Sequence, residues 1–353
     1  MRTHADLVVT AMRLERAAEA GPAPAQTAQR LQALKLLVGD VVARVEAALP
    51  GLADGGPGVA AQAARHLLAA GGKRVRPLLV VLAARAAGGT RSGTLAEESL
   101  AQAAELVHAA TLLHDDVLDD GRTRRGMPAA RMLWGNAASV LGGDFLLVRA
   151  LELTAAAGVP HALDELLGAI GRMIDGEALQ LEHRGRADLD VAGYREVVDG
   201  KTASLFAWCG KAGARLAHAS EPLVAALGQY GLHLGRAFQI VDDVLDVEGD
   251  PRALGKSVLV DLHEGKLTLP VLYALDATPA LRGLLSDCAG VDAPESLVDA
   301  VVEAVHASQA ARRARADAVR ETGLAQAALD GLAASPFREA LIYIARELCA
   351  RVA

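Results

Sequence analysis

Two acidic runs share one pattern, Asp115-Asp116-Val117-Leu118-Asp119 and Asp242-Asp243-Val244-Leu245-Asp246. Each lies in an apolar stretch of helical character, LLHDDVLDD and FQIVDDVLD. On a helix, positions i and i+4 share a face, with Cβ atoms about 5–6 Å apart. Asp115 and Asp119 therefore point the same way, and so do Asp242 and Asp246. Like charges at that spacing repel, so a cation is expected between the two runs. Oxygen-only ligands select hard divalent ions, and Mg²⁺ keeps waters while sharing one or two carboxylates with substrate phosphates. The spacing thus predicts a phosphorylated substrate bridged to the protein by metal.

Basic residues are grouped to suit such a substrate. In Gly71-Gly72-Lys73-Arg74-Val75-Arg76-Pro77 the glycines allow close backbone approach to an anion. Lys73 and Arg76, one helical turn apart, can face one phosphate together, Arg as a fork and Lys as a point charge. The plain alternative is a solvated basic turn capping a helix. Arg122, Arg124 and Arg125 follow the first acidic run. They are either surface ion pairs, which contribute little, or a phosphate clamp. A third set comprises Lys201, Thr202, Gln239, Lys256 and Lys266, each of which alone reads as an ordinary exposed residue. His108, two helical turns before Asp115, reads alone as a satisfied core histidine, and His114, off that face, as either backing the site residues or structural. Glu177 and Gln180 are polar positions in an apolar pattern, expected to make structural hydrogen bonds or to line a tunnel.

The elements that must position these groups read as helices. Period-two alternation is scarce, 3.6-type periodicity recurs, and good helix formers abound. Candidate helices cover 31–49, 58–70, 75–87, 94–119, 137–157, 161–184, 191–217, 221–247, 267–275, 281–285, 294–328 and 336–352. Gly and Pro punctuate them, and the polar joins 120–131 and 248–266 each follow an acidic run. The chain has 353 residues, 52% apolar but 3% aromatic, so its core must rest on Leu, Val and Ala. No linker divides it, which predicts one all-α domain over 31–353 with residues 1–30 as a peripheral extension. A net charge of −7 argues against a general nucleic-acid binder. Cys209, Cys288 and Cys349 lack metal-ligand spacing and read as reduced structural thiols of a cytoplasmic protein. No apolar run of about 18 residues appears, so no transmembrane segment is expected.

The order of the motifs says more than any one of them. GGKRVRP (71–77), LLHDDVLDDGRTRRG (112–126), GNAASVLGGDFLL (135–147), GKTASLF (200–206), FQIVDDVLD (238–246), LGKSVLVDLHEGKLTLP (254–270) and PFREALIYIA (336–345) follow one another. In this the chain resembles the trans-polyprenyl diphosphate synthases, the head-to-tail isoprenyl diphosphate synthases. The first aspartate motif and the GNAASVLGGDF segment are most similar to long-chain members such as octaprenyl diphosphate synthase. The departures are a longer N-terminus and the Asp120-Gly121-Arg122 segment.

The resemblance implies a single antiparallel helical bundle around a deep central cavity, a homodimer, and two to three Mg²⁺ ions. It implies that Asp115, Asp116 and Asp119 hold metal on the allylic diphosphate, with Asp242, Asp243 and Asp246 completing the metal site. Arg124, Lys201, Thr202, Gln239 and Lys256 would hold the same diphosphate, and Lys73, Arg76, His108 and Arg125 isopentenyl diphosphate, with Lys266 a secondary contact. Lys201 and the aspartates other than Asp246 form the catalytic set. The product would be an all-trans polyprenyl diphosphate released near a membrane.

Product length is read from the helix before Asp115. Val107, Ala110 and Thr111 are small where short-chain members carry bulky aromatics. Each further isoprene unit buries apolar carbon worth up to about 4 kcal/mol. A product of six to ten units, eight by resemblance, is expected. The alternatives are a geranylgeranyl-type shorter-chain synthase and the catalytic subunit of a heteromeric synthase. A cyclase would leave GGKRVRP and the second arginine of RRG without a use.

Overall fold

Stretches rich in Ala, Leu, Glu and Arg, with few β-branched runs, favour helix. The computed structural model describes residues 24–89, 94–248, 260–287 and 295–350, and these are helical almost throughout, as the all-α expectation requires. In chain order the helices are α1 (Pro24–Ala48), α2 (Gly58–Ala69), α3 (Val75–Ala86), α4 (Leu95–Leu118), α5 (Ala130–Trp134), α6 (Asn136–Ala156), α7 (Ala162–His183), α8 (Val191–Val198), α9 (Ser204–Leu216), α10 (Glu221–Glu248), α11 (Val260–His263), α12 (Leu269–Ala277), α13 (Ala280–Asp287), α14 (Glu295–Ala307), α15 (Ala310–Ala328) and α16 (Pro336–Ala350). A 3-10 turn, Leu49–Ala53, follows α1, and a π turn, Asp199–Ala203, joins α8 to α9.

Three differences from the expected elements have local causes. The helix expected over 294–328 is two helices, because Gln309 adopts a left-handed conformation (φ 55°) between α14 and α15. The polar join 120–131 holds a small hairpin, β1 (Thr123–Arg124) against β2 (Met127–Pro128), and then α5. Arg125 and Gly126 both have positive φ (54° and 77°), as a two-residue hairpin turn of primed type demands. The join 248–266 contains α11. Residues 1–23, Lys256 and Cys288 lie outside the described residues, and Pro24 opens α1.

The chain gathers into two compact units. The first comprises the described part of Met1–Leu167 with Trp208–Gly228 and Gly331–Leu341; the second comprises Gly168–Ala207, Gln229–Asp330 and the described part of Ile342–Ala353. In the first unit α4 is the central helix, packed on α3 and α6, with α2 also on α6. Its start is set by Thr94, whose side chain accepts from Glu97 N at 3.1 Å, with Glu97 and Glu98 in the first turn. Every residue from Leu100 to Ala110 except His108 is buried, so α4 is apolar around most of its circumference. The small residues of α6 allow close approach. A Cβ on Gly142 would stand 3.1 Å from Ala60 O and 3.3 Å from Leu113 Cδ1. Buried Ser139 donates to Leu113 O at 2.8 Å.

In the second unit α12 is buried along its whole apolar length and packs on α8, α14 and α15. The Arg313 guanidinium lies 4.0 Å from the Tyr273 ring centroid. Of the described cysteines, Cys209 is buried and Cys349 half-buried, and both are free thiols. Burial pushes the Cys209 thiol up to about 12, which suits a structural role. No described helix is long and apolar enough to cross a membrane.

Candidate active site

The first unit carries the first acidic run at the C-terminus of α4. Asp115 and Asp116 lie in the last turn, and Asp119 caps it, its N–H donating to Asp115 O at 2.8 Å. Asp116 is 1% exposed. Burial raises its carboxyl above the usual range, while the Arg124 guanidinium pulls it back down. Arg124 reaches it from the hairpin, Nε donating to Asp116 Oδ1 at 2.8 Å and Nη2 lying 2.7 Å from the same oxygen. Gly121 makes room for this return, since a Cβ there would stand 3.1 Å from Asp116 Oδ1.

Arg125, the next residue, goes elsewhere. It donates to Gly71 O, and its Nη2 lies 3.9 Å from Glu105 Oε1. Burial lowers its pKa and that of Arg76. His108, on α4 one turn beyond Glu105, is held far below the ordinary imidazole range, first by burial and then by Arg76, Arg125, Arg74 and Arg124. It is therefore a neutral ring beside guanidinium groups. Lys73 and Arg76 do not share a helical turn as their spacing suggested. Helix α3 begins at Val75, and Arg74 before it is left-handed, so Lys73 stands in the preceding loop. The sequence offered no role for Arg74, which is 4% exposed and paired with Glu46 and Glu105. Its partner Glu105 was visible as a lone acid inside the apolar run AAELVHAA. His114 is structural, its Nε2 3.2 Å from Val140 O.

The second unit holds the other run on α10, and its three aspartates are not equivalent. Asp242 is exposed, Asp243 is 2% exposed, and Asp246 is half-buried. Asp243 accepts from Tyr194 Oη (2.6 Å) and Leu269 N (3.3 Å) on Oδ2, and from Gln239 Nε2 (2.9 Å) on Oδ1. Both oxygens are thus engaged inside the protein. The sequence groups Asp243 with the metal-site aspartates, and here Tyr194, Gln239 and Leu269 hold its carboxylate in place. Thr202 Oγ1 donates to Gln239 Oε1 at 2.9 Å, so these two residues assigned to the diphosphate stand side by side. Lys201 sits in the π turn, 2.5 Å from Glu177 Oε2 and 2.7 Å from Gln180 Oε1. Gln180 accepts a hydrogen bond from Lys201, and Glu177 forms an ion pair with it. A Cβ on Gly176 would stand 2.5 Å from Lys201 N, so backbone meets backbone at this point.

Asp261 of α11 is a site residue that the spacing did not single out. Burial, followed by Asp261, pushes both Asp243 and Asp246 up to about 7. Asp261 itself rises to about 6 through burial, with Lys266 opposing and Glu264 and Asp242 adding. Lys266 pairs with Glu264 at 2.7 Å.

Within each unit the carboxylates suit a hard divalent cation. They offer oxygen alone, and Asp116 Oδ2 and Asp246 Oδ2 are buried oxygens without a hydrogen-bond partner. Among the described residues no three His, Cys, Asp or Glu side chains already converge on one ion position.

Comparison with known proteins agrees with this chemistry. The family model described as polyprenyl synthetase matches residues 58–306. The octaprenyl diphosphate synthase of Escherichia coli is 39% identical over 281 residues, 79% of this chain and 86% of that protein. The short chain isoprenyl diphosphate synthase of Methanothermobacter thermautotrophicus is 38% identical over 299 residues, 83% of this chain and 91% of that one. A polyprenyl synthase from Caulobacter crescentus, solved in complex with calcium and isoprenyl diphosphate, superposes with a TM-score of 0.84 at 38% identity. It covers 91% of this chain and 98% of that chain. The all-α architecture is therefore that of the isoprenoid synthases, and this chain belongs to the polyprenyl synthetase family of prenyltransferases that make polyprenyl diphosphates.

Proposed function

We propose that the protein is a Mg²⁺-dependent synthase that condenses an allylic diphosphate with successive isopentenyl diphosphates. Its all-trans product has six to ten isoprene units, eight being favoured. The observation that carries this reading is the division of labour in one hairpin: Arg124 goes to Asp116, while its neighbour Arg125 goes to Gly71 and Glu105. Adjacent cations thus serve two anion positions, as two diphosphate substrates require and a cyclase does not.

In this reading Asp115, Asp116 and Asp119 would hold ions on the allylic diphosphate, and Asp242, Asp243 and Asp246 would complete the metal set. Asp243 is held in place there by Tyr194 and Gln239. Mg²⁺, when bound, would supply charge neutralisation on the departing oxygen; that the Caulobacter protein was solved with calcium and isoprenyl diphosphate supports a divalent ion in this reading. Arg124 and Lys201 place fixed positive charge beside that diphosphate, with Lys256 expected to join them. Lys73, Arg76 and Arg125 hold isopentenyl diphosphate, and the neutral His108 ring can donate a hydrogen bond to it. The C1–O bond of the primer breaks with its electrons going to diphosphate oxygen. The isopentenyl double bond then attacks C1, and a proton passes to the released diphosphate. Alanine and leucine side chains exclude the water that would otherwise trap the allylic cation.

Small residues support the length assignment. Val107 and Ala110 are buried, and the Thr111 hydroxyl turns back to His108 O at 2.9 Å. The geranylgeranyl diphosphate synthase of Methanosarcina mazei, 36% identical over 263 residues, keeps a geranylgeranyl-length product as the second reading. Assembly as a homodimer accords with exposed Val140, Leu141 and Val148 on α6 and Ile174 and Leu181 on α7. A cytoplasmic enzyme releasing its product near a membrane is the setting that fits. The test is purified protein with labelled isopentenyl diphosphate, primers of three lengths, and Mg²⁺ or EDTA, with products sized by reversed-phase chromatography. A Mg²⁺-dependent product of about eight units is expected; no chain extension with any primer overturns the proposal.

A further inference from the structure

Arg74 stands between two residues proposed to hold isopentenyl diphosphate, Lys73 and Arg76, yet it behaves unlike either. Its backbone is left-handed (φ 49°, ψ 32°) at the N-terminus of α3. That conformation is unfavourable for a non-glycine residue, which keeps it where the surroundings over-determine it. The surroundings here are two carboxylates. Arg74 Nε pairs with Glu46 and Nη1 with Glu105, while Nη2 donates to Glu46 Oε1 at 3.1 Å and to Leu68 O at 3.3 Å. All three guanidinium nitrogens are therefore satisfied within the protein. Gly72 completes the arrangement, since a Cβ there would stand 2.8 Å from Arg74 Nη1 and 3.0 Å from Arg125 Nη2. Two guanidinium groups thus cross the same bare stretch of backbone, and Glu105 faces both of them.

We propose that Arg74 is the positioning residue of the isopentenyl diphosphate half-site. Its buried fork on Glu46 and Glu105 locks the left-handed link that sets the direction of Lys73 before it and of Arg76 after it. Glu105 ties the same lock to Arg125 and, one turn along α4, to His108. The inference rests on the proposed reading in which those residues hold the non-allylic substrate.

Three variants of the full-length protein test it. Arg74→Lys keeps the charge and loses the fork. Arg74→Gly relieves the backbone and loses the anchor. Glu46→Gln, at the more solvent-accessible end, is the milder change and keeps the test open where an Arg74 variant fails to fold. KM is measured for isopentenyl diphosphate and separately for the allylic primer, with kcat and the thermal midpoint alongside. For the Arg74 variants the isopentenyl diphosphate KM rises about tenfold, with kcat and the primer KM within about twofold. For Glu46→Gln the rise is about threefold. Folded variants with an unchanged isopentenyl diphosphate KM overturn the proposal, as does an equal rise in both KM values with a fall in kcat. Lys73→Ala and Arg76→Ala separate the two levels. If these raise the isopentenyl diphosphate KM and the Arg74 and Glu46 variants do not, the positioning role alone fails. If they leave it unchanged, the assignment of the half-site fails and carries the positioning role with it.

Discussion

Replacing Asp246 by Asn should make the metal-free protein more stable while removing its Mg²⁺-dependent activity. The Asp246 carboxyl is raised from 3.8 to about 7 by burial and by Asp261. At 1.36 kcal/mol per unit, those three units set a ceiling of about 4 kcal/mol. Asp261 shares the repulsion, so a gain of about 1–3 kcal/mol is expected for the variant. The sign follows from proton uptake. The folded pKa lies above the unfolded one, so folding binds a proton between pH 3.8 and about 7. Stability of the parent falls as pH rises through that window, and the deficit is complete above it. Asp246→Asn escapes the deficit. Its amide oxygen can still accept from Val260 N, which lies 3.0 Å from Asp246 Oδ1, and its NH₂ offers Asp261 a donor. The assay is urea unfolding of parent and variant in EDTA near pH 5 and near pH 8. The variant's advantage should be larger near pH 8 by about 1–2 kcal/mol. A variant no more stable than the parent near pH 8, or a gain equal at both pH values, refutes the reasoning.

Ala110→Phe should shorten the product by at least one isoprene unit, because Ala110 is wholly buried ahead of the first aspartate run; unchanged product length on reversed-phase chromatography counts against the floor assigned there. Gly143→Ala should destabilise by about 1–3 kcal/mol, since its Cβ would stand 2.6 Å from His114 Cδ2, and His114→Ala in that background should recover part of the loss in urea melts. The Arg236–Asp199 fork, with contacts of 2.5 and 2.6 Å, pins the π turn that carries Lys201. A double-mutant cycle on that pair should give a coupling of about 0.5–1 kcal/mol, read from chemical denaturation. Pyrophosphate should raise the parent's melting midpoint in the presence of Mg²⁺ and leave it nearly unchanged in EDTA.

What the sequence determined by itself was local or periodic. Helical spacing located α4 and α10, because burying one face of a helix imposes a 3.6-residue pattern on the residues themselves. The paired aspartates and the basic motifs were legible because side chains four apart on a helix must share a face. The tertiary structure decided which of those residues face outward and which serve each other. Asp242 and Asp243 are neighbours of identical type. Asp243 is nevertheless held inside by Tyr194, 49 residues before it, and by Gln239. Lys73 and Arg76 were separated by a left-handed Arg74, whose partners Glu46 and Glu105 lie 28 and 31 residues away. Asp261 gained its place from the fold of the chain after α10, and Gln309 broke a helix that its neighbours favoured. Pairings over such distances leave no period in the sequence. They arise when burial brings charges together and each must find a partner or raise its pKa.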